Sequence, residues 1–440
     1  MFPFSLFSRA VPAPAPHAPA TPRALIDMLC PELLLNILDI GAATCAFHSY
    51  RARQDFLLAT CLVSRAFDDA ARVLLWQQLL LSTVDQLDLV REQIKRSGSY
   101  TASLMIWLEN GSDPYTDDDD DELINEDLPA IFEMIRDIPN LDTLCFSGTN
   151  ETVLGKSEFE AFRTLRRLAL SGVTISAPLP SLPRLISLSL DTWTTANTTT
   201  LSWLAATNLP ALRSLALQNP MKNRSNSSDD DDNYVPFDVP LLPQLALSTM
   251  YPNSKNSNFF THYSSSKAPF ILLKYAVDAH AESDDARIAK ELLEHFSTSE
   301  SRLVLELECW PYDLYEAPFR GVGNNDRYSA LTELKAALRV SSVKPLAVVL
   351  PSLLHPSLDV LSSVKLTEEE EDAQTEMRNK ARRIVRVCKR RRIPVFWRSV
   401  GAEDTCEMAL PPPKLLEWAI RLEEEKKGSE QGVQQLFGDA

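Results

Sequence analysis

Histidine, cysteine and carboxylate side chains are the groups with which this chain could carry out acid–base, nucleophilic or metal-assisted chemistry. Its six histidines are scattered, and none stands in an H-E-x-x-H pattern or at zinc-ligand spacing from a cysteine. No serine lies in a G-x-S-x-G turn, and neither G-x-G-x-x-G nor G-x-x-x-x-G-K-[ST] occurs. The residue pattern therefore predicts a chain that is not an enzyme, with no catalytic residue, no metal and no cofactor.

Two runs of aspartate, at 117–121 and 229–232, are the densest groups of potential metal ligands. Calcium loops alternate their carboxylates and carry a turn glycine, and both features are missing here. Because like charges repel each other and bury little apolar surface, such runs are typical of solvated loops. We expect disordered acidic insertions near 113–122 and 221–233.

Composition limits the class of protein and its partners. The chain has 440 residues, 45% of them hydrophobic, and a net charge of −16. The negative charge opposes binding to nucleic acids and anionic membranes, and no stretch approaches the roughly 20 apolar residues of a membrane span. The seven cysteines form no C-x-x-C pair, which is typical of a reducing compartment. We expect a cytoplasmic and/or nuclear protein, with no nucleic-acid or membrane partner, and a disordered Pro/Ala-rich tail over 1–24.

The elements that would position a functional surface begin with a helical segment at 25–82. Leu29, Leu33 and Ile37 recur at steps of four, and a second apolar series with helical spacing starts at Val63 and continues into Trp76. These spacings predict two or three short amphipathic helices. So small a unit buries little apolar surface alone, so another protein is expected to cover part of it.

The same segment, LCPELLLNIL followed by LLATCLVSRAFDDAARVLLWQQLLL, resembles an F-box, whose pattern is LPxELxxxIL and then LxxxxLVSRxFxxxAxxxLW. The resemblance implies docking on the small adaptor subunit that links F-box proteins to a cullin in SCF-type ubiquitin ligases. The residues expected to bind the adaptor are Leu29, Pro31, Glu32, Leu33, Leu34, Ile37, Leu38, Leu62, Val63 and Trp76.

A repeat with the pattern LxxLx[LF] follows, and it is similar to leucine-rich repeats. Its copies stand at 141–146, 165–170, 185–190, 212–217 and 242–247. Parallel stacking of such strands would bury a continuous core that no single repeat could bury alone. Helix-then-strand alternation predicts helices at 84–95, 127–137, 199–207, 284–296, 328–340 and 375–390, and further strands at 104–107, 303–308, 345–350 and 393–397. The fold class expected is mixed α/β: a small helical F-box, an irregular leucine-rich-repeat-like β/α solenoid over 83–400, and a C-terminal helix and tail over 401–440.

Alternation along each repeat strand predicts which side chains face a ligand. The leucines belong to the core, and the residue between the last two faces outward, which gives Ala169, Ser189, Ala216 and Ala246. These small residues indicate a flat, weakly specific face. The substrate-binding candidates are therefore larger residues at its edges: Arg166, Arg167, Arg184, Trp193 and Arg213.

The order of parts, a docking unit and then a repeat platform, resembles fungal F-box proteins. It predicts a substrate-recognition subunit of an SCF-type ubiquitin ligase that binds an unknown protein substrate. A non-catalytic leucine-rich-repeat scaffold without a role in ubiquitination is the alternative, and a hydrolase or transferase with an unfamiliar site is a third. The basic cluster 389–392 fits either a nuclear import signal or cations that complement a helix C-terminus.

Overall fold

The fold is known from a computed structural model. The residues it describes are 29–46, 50–108, 123–176, 179–191, 194–195, 202–217, 242, 244–250, 270–276, 302–308, 346–351, 368–398 and 410–437. The predicted tail 1–24, both acidic insertions and Trp193 lie outside these residues.

Three helices form the unit that precedes the sheet. They are α1 (Pro31–Ala46), α2 (Tyr50–Cys61) and α3 (Arg65–Gln77). Their apolar faces meet in one core made of Leu34, Leu38, Ala42, Leu57, Phe67, Ala70, Ala71 and Leu74. The sequence spacing therefore predicted the helices because each helix buries one apolar stripe against the other two.

A single large sheet makes up the rest of the described core. Its strands are β1 (Gln78–Leu81), β2 (Ser103–Trp107), β3 (Thr143–Leu154), β4 (Arg167–Ile175), β5 (Ser187–Asp191), β6 (Thr194–Thr195), β7 (Ser214–Leu217), β8 (Leu247–Met250), β9 (Phe270–Ala276), β10 (Arg302–Glu308), β11 (Ala347–Pro351) and β12 (Val395–Arg398). They lie side by side in chain order, with β6 paired to β4, and every described strand pair is parallel. The chain is mixed α/β with a large parallel sheet.

Helices cover one face of this sheet, the face that carries the repeat leucines, which we call the first face. Outside the three-helix unit, the α-helices that the structure describes are α4 (Val84–Ser97), α5 (Leu128–Arg136), α6 (Lys156–Glu160), α7 (Glu368–Arg391) and α8 (Pro413–Phe437). Of these, α4, α5, α6 and α7 bury apolar side chains in the same core as the strand leucines, including Leu144, Leu168, Leu188 and Leu215. Parallel sheets are covered on both faces, so a cover for the second face is also required.

Most predicted elements are confirmed, and the exceptions have local causes. The helices predicted over 84–95 and 127–137 are α4 and α5. Of the helix expected at 199–207, the structure describes residues 202–207, and these contain only a 3-10 turn, Ser202–Leu204. Strands β1, β6 and β9 were missed. β1 continues directly from α3, and β9 follows a polar stretch without a repeat motif. The helices predicted at 284–296 and 328–340 lie outside the described residues.

The fifth repeat was predicted in the wrong register. In the earlier repeats the first leucine donates its amide to a residue three positions upstream, as Leu185 does to Leu182 and Leu212 to Leu209; the equivalent bond here joins Leu245 to Leu242. The repeat therefore begins at Leu245 and reads LALSTM rather than LPQLAL. A shift by an odd number of residues moves every side chain to the opposite face, so Leu247 joins the core on the second face.

Gly172 in β4 occupies a position that only glycine fits. Its φ is +63°, and a Cβ placed there would lie 2.3 Å from the carbonyl oxygen of Gly148 in β3.

We expect Gly172→Ala to destabilise the protein by about 2–4 kcal/mol, because positive φ and a backbone clash combine. Urea denaturation measures this. Gly155→Ala is the matched control, since its Cβ would meet only the flexible end of Glu158, and equal loss in both variants would contradict the explanation.

Candidate functional site

Exposed apolar side chains lie at two places on the three-helix unit. Leu33 and Ile37, one turn apart on α1, are each 46% exposed, and Leu62 and Val63, in the turn between α2 and α3, are 86% and 63% exposed. We call these four residues the docking cluster. Leu58, in the last turn of α2 and four residues before Leu62, is also exposed. The sequence analysis missed it. Single exposed leucines are common, but repeated ones on a small unit are typical of an interaction surface.

The structure divides the predicted adaptor-binding residues into two groups. Leu34 and Leu38 are 3% exposed and belong to the core of the three helices, so they support the unit rather than offer contacts. Trp76 packs against the core of the sheet instead. Pro31 and Glu32 are exposed at the first turn of α1, and Leu29 is half-buried just before it.

Close packing between the helices holds the docking cluster in place. A Cβ at Gly41 of α1 would lie 2.7 Å from the ring of Phe56, so the absence of a side chain lets α1 and α2 approach closely. The guanidinium of buried Arg53 in α2 donates a hydrogen bond of 2.7 Å to the carbonyl oxygen of Leu74 in α3. Both contacts tie α2 to its neighbours and thereby position the turn that carries Leu62.

The second face of the sheet differs from the prediction, because the residues expected to face a ligand are covered. Ala169, Ser189, Ala216 and Ala246 are each at most 1% exposed. Ala246 also falls outside this row of side chains; the register places Thr249 beside Ala216 instead. The flat face of small residues exists, but it is not free.

The segment that covers this face comes from the far end of the chain. Leu410 packs with Met105, Cys145 and Ala169 on strands β2 to β4. Leu415, Leu416 and Ala419 of α8 pack further along the sheet against a group made of Leu247, Phe270, Leu272, Val304, Ala347 and Val349. We call residues 410–426 the C-terminal segment. Sequence analysis predicted its helix, but not where the helix lies.

Trp418 anchors the helical part of the C-terminal segment. Its ring centroid lies 5.8 Å from that of Phe270 on β9 and 5.5 Å from that of Phe396 on β12. Aromatic pairs at such distances add stabilisation beyond the apolar area that they bury. The opposite side of α8 is charged and exposed, with Lys414, Glu417 and Arg421. The segment is therefore amphipathic, and its apolar side faces the sheet.

Two arginines hold the beginning of the C-terminal segment. Arg167 on β4 donates to the carbonyl oxygen of Pro411 at 3.0 Å, and Arg398 on β12 donates to that of Leu410 at 2.8 Å. In the order of the sheet, β4 and β12 are seven strand steps apart, or ~34 Å if the sheet were flat. Two adjacent residues can reach both strands only because the sheet curves around the segment.

Arg398 also forms a buried ion pair. Its guanidinium donates through both Nε and Nη2 to the carboxylate of Glu306 on β10, the latter bond being 3.0 Å. The side chains are 11% and 1% exposed. A planar guanidinium that meets a carboxylate with two nitrogens is the geometry that best compensates burial of the two charges.

The other predicted substrate-binding arginines have different surroundings. Arg166 lies 3.8 Å from the Asp142 carboxylate on the preceding repeat, with both side chains solvent-exposed. Arg213 donates to the carbonyl oxygen of Gln244 at 3.1 Å. Arg184 is exposed. Arg167, by contrast, binds the C-terminal segment.

The basic cluster 389–392 ends α7 and is exposed. Arg392 has a φ of +59°, and the amide of Ile393 bonds to the carbonyl oxygen of Cys388, which closes the helix. Cations at this end complement the helix dipole. This position fits the interpretation that the cations complement the C-terminus of α7. Because the cluster is exposed, it is also accessible as a nuclear import signal.

Within the described part of the chain, no group of three or more histidine, cysteine or acidic residues is placed to hold a metal ion. Among the helices that the structure describes, none has both the length and the apolar character needed to cross a membrane. Burial raises the pKa of the Cys388 thiol to about 11, and burial together with a hydrogen bond to Asp68 raises that of Cys61 to about 11. Neither thiol is therefore activated as a nucleophile.

Thiol reactivity tests the position of α7. Cys388 is buried between this helix and the sheet, whereas Cys30 is exposed. At pH 8 a thiol with a pKa of about 11 stays protonated, and the thiolate is the reactive form. We expect iodoacetamide to alkylate Cys30 at least tenfold faster than Cys388 in the folded protein, and both alike in urea. Peptide mass spectrometry measures this, and equal rates without urea would contradict the packing of α7.

Two comparisons with known proteins found no match. No protein-family model matches the chain, and no curated protein matches it. The functional argument therefore depends on the chain's own surfaces.

Proposed function

We propose that this protein is a substrate-recognition subunit of an SCF-type ubiquitin ligase. In this proposal the three helices are an F-box that docks on the adaptor, and the sheet with its helices is an irregular leucine-rich-repeat-like solenoid that binds a protein substrate. The observation that carries the proposal is the exposure of Leu33, Ile37, Leu62 and Val63 at positions of the F-box-like motif.

Burial of the docking cluster would offset a substantial part of the free-energy cost of association. Full burial of one such side chain is worth roughly 1.5–3 kcal/mol. Because Leu33 and Ile37 are already half covered, the four residues together supply about 6 kcal/mol, within the range of association costs of about 4–15 kcal/mol. Further polar contacts, such as those available to exposed Glu32, are needed for tight binding.

In this proposal a substrate-binding sheet promotes ubiquitin transfer without contributing a catalytic residue. A substrate held on the solenoid would share a complex with a ubiquitin-charged enzyme that the cullin recruits. The rate would rise through effective concentration and orientation, without a catalytic residue in this chain.

Co-purification of the full chain with the adaptor subunit tests the proposal. Binding at micromolar concentration or tighter, followed by incorporation of the chain into a complex with the cullin, is the expected result. Absence of binding would overturn the adaptor assignment. Binding without ubiquitin transfer to any bound protein would instead favour the non-catalytic leucine-rich-repeat scaffold.

A further inference from the structure

The second face of the sheet, which we call the inner face, is a surface that the chain itself occupies with the C-terminal segment. Its side chains form a continuous row through the strand registers, from small residues such as Ala169 and Ser189 to larger apolar ones such as Leu272 and Val304. The C-terminal segment lies on both halves, with Leu410 on the small residues and Trp418 on the larger ones. The face therefore has the shape and chemistry to hold one amphipathic helix and the extended residues before it.

We propose that the C-terminal segment is a displaceable internal ligand. The inner face is a binding surface for an amphipathic helix of another protein, and residues 410–426 occupy it until that partner competes them away. The partner's helix would carry an apolar stripe with an aromatic residue, as the segment does with Leu415 and Trp418. This proposal concerns the sheet rather than the docking cluster, so its test does not depend on adaptor binding.

The polar contacts to the segment do not depend on its side chains. Arg167 and Arg398 both bind backbone carbonyl oxygens, those of Pro411 and Leu410. Any chain that crosses the face at this point presents equivalent carbonyl oxygens. The two arginines can therefore hold a partner peptide as well as the chain's own segment.

The match between the segment and the face is incomplete. The hydroxyl groups of Ser187, Ser189, Ser214 and Thr249 are buried and have no hydrogen-bond partner within the described residues. They lie on β5, β7 and β8, between the strands that contact Leu410 and those that contact Trp418. Buried unpaired hydroxyls disfavour an occupant. A partner whose polar groups hydrogen-bond these hydroxyls would bind the face more tightly than the segment does.

The connection to the rest of the chain allows the segment to leave. Residues 399–409 join Arg398 to Leu410, and eleven residues can span up to ~36 Å when extended. The segment can thus separate from the face without unfolding β12. Because it remains tethered, it competes as an intramolecular ligand, and its removal should raise the apparent affinity for any external helix.

Cleavage of the connection in the full chain tests this directly. A protease recognition sequence is introduced within 401–407 and cut after purification, and the probe is a fluorescent synthetic peptide of residues 408–427. We expect the cleaved fragment to exchange with the peptide while the remaining chain stays folded and soluble. The uncut protein should bind the peptide at least tenfold more weakly, because its own segment competes.

Matched variants show whether exchange occurs at the proposed surface. A peptide with Trp418→Ala should bind the cut protein at least tenfold more weakly, and one with Arg421→Ala, changed on the exposed side, should bind within twofold of the original. Thr249→Val in the protein should tighten binding, because it replaces an unpaired hydroxyl by a methyl group of similar size.

Three results would overturn the proposal. One is a fragment that stays bound for a day at nanomolar dilution, and another is loss of the folded sheet when the fragment leaves; either would make the segment a permanent part of the core. Equal binding of the Trp418→Ala and unaltered peptides would place the exchange elsewhere. Adaptor co-purification of the same cut sample reports separately on the proposed function.

Discussion

Leu33→Asp combined with Leu62→Asp is expected to weaken adaptor binding at least about 100-fold while leaving the fold intact. Both side chains are exposed, so a carboxylate at either position remains solvated in the free protein. In the complex the change at Leu62 removes an apolar contact worth about 1.5–3 kcal/mol, the change at half-covered Leu33 removes about half as much, and each leaves a carboxylate at the interface. Since every 1.4 kcal/mol changes the affinity about tenfold, two such losses give the stated effect. Titration of the adaptor by calorimetry measures it.

The control for this prediction is Leu89→Asp, an equal change at an exposed leucine on α4, outside the three-helix unit. It should leave adaptor binding within about twofold of the wild type. Leu38→Ala, by contrast, removes a core side chain of the unit and should lower the free energy of unfolding by about 2–5 kcal/mol. Retention of adaptor binding by the Leu33→Asp, Leu62→Asp protein would refute the docking cluster.

Glu306→Leu is expected to destabilise the protein by about 3–5 kcal/mol. The change leaves the guanidinium of Arg398 nearly buried without its carboxylate partner, and an uncompensated charge in such a place is costly. The hydrogen bond from Arg398 to the carbonyl oxygen of Leu410 compensates only in part. Urea denaturation of the full chain, followed by tryptophan fluorescence, measures the loss, and the rings of Trp397 and Trp418 lie on β12 and α8 as reporters.

A double variant distinguishes a buried charge from a general packing defect. Glu306→Leu with Arg398→Leu removes both charges and should recover most of the lost stability, because a well-packed apolar pair can replace a buried ion pair. Glu425→Ala is the surface control: its pair with Arg421 is 3.9 Å apart and solvent-exposed, so the change should stay within about 0.5 kcal/mol. A double variant as unstable as Glu306→Leu alone would argue against the ion pair as the cause.

The sequence by itself determined the elements whose signals are local. Steps of three and four among apolar residues predicted α1, α3, α4 and α5, because one helix face must be buried. Alternating leucines predicted the repeat strands and the side on which Leu144, Leu168 and Leu215 enter the core. The motif positions Leu33 and Leu62 were also visible in the sequence, through the F-box-like pattern.

Only the tertiary structure decided which of these side chains are accessible. Leu34 and Leu33 are neighbours of the same type, yet only the positions of α2 and α3 make one core and the other surface. The fifth repeat could be read in two registers, and the pairing of Leu247 with Ser214 selects one. Neither distinction is encoded within a single element.

The cover of the inner face also could not be predicted from the sequence, because it depends on residues that are far apart along the chain. Alternation correctly placed Ala169 and Ser189 opposite the leucines, but it could not show that Leu410 packs on Ala169. That cover depends on contacts between distant parts of the chain: Arg167 and Pro411 are 244 residues apart, and Glu306 and Arg398 are 92 apart. Local periodicity reports which face of an element is apolar, whereas only the folded chain determines what each face meets.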